Sequence, residues 1–129
     1  LRAALARETR RLDEALAYVK SLGARADSMA HYTVGVACFE KVRNDKEHLI
    51  APEQRMVIVD AGIEALRKSV ALTPDSFDSL VYLNLVLRQK ARLEVDPVVQ
   101  QALIAEAVTL QDKARAIAAA RKAKEAAAS

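Results

Sequence analysis

The chain has no tryptophan, one cysteine, three glycines and three prolines, and only 4% of its 129 residues are aromatic. Each scarcity closes off a class of structure. A single Cys38 forms neither an internal disulfide nor a thiolate metal cage, and it leaves the redox compartment undetermined. So little Gly and Pro cannot supply the many tight turns of a β-sandwich or barrel. With few rings available, the core must be aliphatic and rich in alanine. The longest run free of Asp, Glu, Lys and Arg is the twelve residues from Ser28 to Phe39. That falls short of the roughly 18 needed to cross a bilayer. No Gly-rich phosphate loop, metal-spaced histidine pair or nucleophile elbow occurs in the sequence. No catalytic, cofactor or metal residue is therefore assigned, and a non-enzymatic protein without a small-molecule substrate is expected.

What the chain does have is apolar material and helix formers. Hydrophobic residues make up 52% of it, enough for one domain of this length to bury about two thirds of its unfolded surface. The net charge of +3 is unevenly spread. Residues 1–25 carry six Arg and Lys against three acids, and residues 111–129 carry five against two. The stretch between has nine against twelve, so basic ends flank a slightly acidic body. A dedicated nucleic-acid surface would show a denser basic stripe.

Five segments follow helical periodicity. The first covers about residues 2–22, with Leu5, Leu12, Leu16 and Val19 on one side and Gly23 as its stop. The second begins after Asp27, an N-cap, and carries Val34, Cys38, Val42 and Leu49. It either runs on past residue 40 or breaks at Asn44-Asp45. Pro52 opens the third, where its missing N–H costs nothing, and Met56, Val59, Ile63, Leu66 and Val70 follow. The fourth starts at Asp75-Ser76 and is apolar over much of its circumference: Phe77, Leu80, Leu87 and Ala91, widened by Val81, Leu83 and Leu85. Such a helix is packed between others. The fifth opens at Asp96-Pro97 and presents Val99, Leu103, Leu110, Ala114 and Ile117. Residues 118–129 keep helix propensity but hold nothing bulky to bury, so a fraying helical tail is expected beyond a domain of residues 1–117.

Few side chains invite chemistry. His31 and Cys38 lie two turns apart, about 10 Å along one helix, too far for a nucleophile–base pair. His48 has Asp45 and Glu47 nearby, but one imidazole with loosely placed carboxylates fits a solvated loop better than a metal site. Asn84 interrupts an apolar face and reads as a buried amide satisfied by backbone or a neighbouring helix, with ligand contact as the alternative.

An internal repeat organises these segments. Ala30-His31-Tyr32-Thr33-Val34-Gly35-Val36 can be laid over Ser79-Leu80-Val81-Tyr82-Leu83-Asn84-Leu85. Each is followed by a polar break and a second helix, one containing Gly62, Leu66, Ser69 and Pro74 and the other running from Glu106 to Ala116. Apolar-plus-small Val34-Gly35, small Gly62, large Leu66, small Ser69 and closing Pro74 resemble the tetratricopeptide repeat, a helix–turn–helix unit of roughly 34 residues. The resemblance covers about residues 28–116, with the first helix as the second half of a preceding repeat. It departs in three places. The connections run long, by about fifteen residues after Lys41 and about eleven after Lys90. Asn84 stands where a small residue is usual, and the fifth helix lacks a closing Pro.

The resemblance implies an all-α fold, a right-handed stack of about five antiparallel helices, and a module that binds another protein or a second copy of itself. It places the binding surface on the first helices of the hairpins, at Tyr32, Val36, Phe39, Val81, Leu85 and Arg88. These are mostly apolar, unlike the Lys, Arg and Asn with which members of the family clamp a terminal carboxylate, so an apolar helix or extended segment is the expected occupant. The competing expectation is that the first helix or another copy covers this face. The basic tail from Lys113 to Lys124 offers a second alternative, salt-sensitive binding to nucleic acid or a membrane surface. The chain is also similar to short bacterial proteins of this family, often exported. Leu1 rather than Met stands first, which implies a segment removed upstream and makes the bacterial periplasm or envelope the alternative location.

Overall fold

A computed structural model describes residues 2–129, and five α-helices account for most of them. They are α1 (Arg2–Leu22), α2 (Ser28–Arg43), α3 (Pro52–Leu72), α4 (Phe77–Leu93) and α5 (Pro97–Ala128). A short 3₁₀ turn, Gly23–Arg25, follows α1. The fold is an all-α stack in which each helix packs on the next and α2 also touches α4.

Local chemistry sets the boundaries. Gly23 ends α1 with φ at +55°, a left-handed conformation that costs glycine little. Asp27 caps α2 by accepting from the Ala30 N–H at 2.9 Å, and Ser76 and Asp96 cap α4 and α5 in the same way. The second helix breaks at Asn44-Asp45, so Leu49 lies outside it and is exposed. The long connections expected after Lys41 and Lys90 are instead short: only residues 44–51 and 94–96 link helices. Both second helices begin early, at Pro52 and Pro97, so the surplus residues are helix.

The expected face of α1 shifts. Leu12 and Ala15 are buried, while Leu16 is 45% exposed, because the helix rests on α2 along the 12, 15, 19 line. The tail stays helical: α5 passes Ile117 without a break, and residues 118–128 are exposed.

Contacts give the helix directions. Ser28 at the start of α2 bonds Ser69 at the end of α3, and Gln100 at the start of α5 bonds the Ala91 carbonyl at the end of α4, so both pairs are antiparallel. By contrast, Tyr32 meets Tyr82 and Phe39 meets Gln89, so α2 and α4 run parallel with a constant offset of 50 residues.

Close approach depends on small residues. A Cβ on Gly35 would fall within the Leu66 side chain, and one on Gly62 would lie 2.9 Å from the Cys38 Cβ. Ser69 is fully buried and joins three helices: its hydroxyl donates to the Ser28 carbonyl at 2.9 Å and lies 2.7 Å from the Ser79 hydroxyl. The main core gathers Val59, Leu66, Val86 and Leu87 with Ala107. A second cluster joins Leu12 and Ala15 of α1 to Val34, Ala37 and Cys38 of α2.

Candidate functional site

The parallel pair α2 and α4 carries all six residues expected to bind a partner, and the structure distributes them unequally. Tyr32 and Phe39 both sit edge-to-face on the Tyr82 ring, with centroids 5.6 and 5.7 Å away. Phe39 is only 8% exposed, so it belongs to the core rather than to an outer face. Its burial follows from α4, whose Tyr82 ring packs against it and whose Gln89 bonds its carbonyl. Tyr32 and Leu85 are half-buried and lean on the same core. Val36 and Val81 are half-buried and lie outside both core clusters. Arg88 is half-buried too.

The first helix does not cover this face. α1 packs on α2 along the Val34, Ala37 and Cys38 side and makes no contact with α4. The seam between α2 and α4 instead has a recess at each end. At the N-terminal end a cleft of about 500 Å³ is lined by Asp27, Ser28, Met29, Tyr32, Leu72, Thr73, Ser76, Asp78 and Ser79. Burial raises the Tyr32 phenol above its ordinary pKa, and the charge of Asp78 and the neighbouring Tyr82 add to the shift.

At the C-terminal end a cleft of about 660 Å³ has the opposite character. Phe39, Val42, Leu85 and Leu93 supply apolar surface, and Arg43, Lys46, His48, Arg55, Arg88 and Arg92 supply the cations and one imidazole. Asp45 is its only carboxylate, and that group is already engaged. It accepts from the Leu49 and Ile50 N–H groups at 2.9 and 2.8 Å and pairs with the Arg55 guanidinium at 2.8 Å. Burial alone would push this carboxyl upward, but the two backbone bonds and Arg55 together hold it below the ordinary value. His48 and Asp45, read from the sequence as parts of a solvated loop, are joined through Arg55, which also lies 2.9 Å from His48 Nδ1; that nitrogen accepts because guanidinium only donates.

Arg88 is held differently. Its Nε donates to Asn84 Oδ1 at 2.8 Å and its Nη2 to Gln111 Oε1 at 3.3 Å, both neutral acceptors. Asn84 is indeed buried, but the partner is Arg88 one turn along its own helix, rather than backbone or another helix. Beneath the floor, Gln89 donates to the Phe39 carbonyl at 3.1 Å, while its own Oε1 has no partner.

Cys38 is fully buried, and desolvation pushes its thiol up to about 11, so it packs as a small apolar group. Among the described residues no cluster of His, Cys, Asp and Glu could hold a metal ion. No described helix is long and apolar enough to cross a membrane.

Sequence reasoning missed Tyr82 because laying Ala30–Val36 over Ser79–Leu85 makes Val81 the counterpart of Tyr32. Across the interface the offset is 50, one residue more. The signal was present in the pairing of two tyrosines, Tyr32 with Tyr82. The basic cleft was harder to find, since its residues come from α2, the following loop, α3 and α4. No protein-family model, curated protein or solved structure matches this chain.

Proposed function

We propose that the protein is a non-catalytic interaction module, related in plan to tetratricopeptide hairpins, that binds a partner protein along α2 and α4. One observation carries the reading: the two hairpins place α2 and α4 side by side, parallel and in constant register, with neither α1 nor α5 covering the seam from α2. A face built on two rigid helices holds side chains in fixed positions, as recognition requires. Val36, Val81 and Leu85 offer partly exposed apolar contact, and Arg88 shares a cleft with Leu85.

The test is a comparative capture from source cells with cross-linking, using wild type and Val36→Glu with Val81→Glu. Melting curves establish that the variant is folded. A protein held by wild type and lost from the folded variant supports the reading; an identical set of captured proteins removes α2 and α4 as the binding face. Binding through the basic tail would collapse with salt, whereas apolar contact would persist.

A further inference from the structure

We infer that the cleft at the C-terminal ends of α2 and α4 is a docking site for an acidic protein segment carrying an apolar anchor, a proposal that rests on the interaction-module reading. The charge count favours it. Among the described residues Arg88, Arg92 and Lys46 form no ion pair, although each lines this cleft. The one lining carboxylate, Asp45, is buried and neutralised by Arg55. Cations are expected near helix C-termini, but each terminus contributes only about half a negative charge. Two termini therefore offset about one of the three unpaired cations. Arg88, moreover, sits a turn before the end of α4 and is tethered by neutral Asn84 and Gln111. Its guanidinium is held in place with its charge uncompensated, which is the arrangement that receives a carboxylate.

The floor selects the kind of anion. Half-buried Leu85 and Leu93 leave apolar surface in the same cleft as the cations, so an occupant that is only charged would leave that surface wet. Single-stranded nucleic acid would need an open aromatic face on which to stack. Of the two rings in the cleft, Phe39 is buried and already packed edge-to-face on Tyr82, and the His48 imidazole is a single ring tied through Nδ1 to Arg55, too little for successive bases to stack on. The chain's own tail is excluded by charge, because residues 118–129 carry Arg121, Lys122 and Lys124 against Glu125 alone. An acidic segment with a leucine-like side chain satisfies both the rim and the floor.

The experiment is fluorescence anisotropy on the full chain with three labelled peptides of equal length: alternating glutamate and leucine, alternating lysine and leucine, and alternating glutamate and serine. A single-stranded oligonucleotide and phosphatidylserine vesicles complete the set. The glutamate–leucine peptide should bind, weakening with salt, with the other two peptides at least about tenfold weaker. Lys46→Glu with Arg92→Glu, both exposed positions, should reduce its affinity by about tenfold or more while the melting curve holds. Arg88→Lys, which keeps the charge but loses the fork, should reduce it less. The proposal is overturned if the charge-reversed pair binds as wild type does, if the lysine–leucine peptide binds equally well, or if oligonucleotide or vesicles bind more tightly through the same residues. Absence of peptide binding while Val36→Glu with Val81→Glu still loses its cellular partner would remove this cleft alone. Retention of that partner as well would remove the module reading itself.

Discussion

Gly35 and Gly62 set the spacing at the centre of the stack, and neither is needed for a turn. Both lie within helices, where glycine costs up to about 1 kcal/mol relative to alanine. The compensation is contact: Leu66 fills the space beside Gly35, and Cys38 and Val86 close over Gly62. Gly62→Leu must therefore displace α2 or α4, and we expect a loss of about 1–3 kcal/mol from overpacking, read by denaturant unfolding. An unchanged unfolding midpoint would show that the helices tolerate a wider spacing and that the repeat alignment is wrong at this position. The importance of Gly62, Leu66 and Ser69 was legible because small residues inside an apolar helical pattern need a packing reason. The partners of Ser69 were not, since Ser28 and Ser79 come from the ends of two other helices and read locally as caps.

At the scale of elements, the connection between α2 and α3 is held by one carboxylate. Residues 44–51 contain no regular structure, and His48 adopts a φ of +54° that a non-glycine residue seldom takes. Asp45 organises this segment by accepting two backbone N–H groups and the Arg55 guanidinium, which also donates to the Asp45 carbonyl at 2.7 Å. Folding lowers the Asp45 pKa, so its contribution is present above the unfolded value of about 3.9 and is lost as pH falls through the folded value. Asp45→Asn should cost about 3 kcal/mol near neutral pH, because it leaves Arg55 uncompensated at a mostly buried site. Chemical unfolding of both proteins across the acid range should show the gap closing below about pH 4. A gap independent of pH would mean that shape rather than charge holds the loop. From sequence, the Asn44-Asp45 break could be placed only as one of two endings for α2. The role of Asp45 was hidden because its partners follow it in a stretch without periodicity.

Across the whole molecule, burial is graded along the stack. The helix α4 packs on α2, α3 and α5, and Leu80, Val86 and Leu87 are fully buried there. This agrees with an apolar pattern in the sequence too wide for a single face. The far end of α5 is the opposite case. Ala107 and Ala114 are its buried residues, Ile117 is half-buried, and residues 118–129 are exposed throughout. The helix persists there on propensity alone, since alanine, lysine and glutamate favour it without tertiary contact. Amide exchange should therefore be slowest in the middle of α4 and fastest beyond Ile117, with the 118–128 amides exchanging by local fraying rather than with the body. Deleting residues 118–129 should change stability by no more than about 0.5 kcal/mol, because no buried group is removed. Calorimetry of the truncated chain, with exchange mass spectrometry of the full one, checks both halves. A larger loss in a dilute sample would show that the tail packs on the body in solution. A loss that depends on protein concentration would instead place the tail in contact with a second copy of the chain.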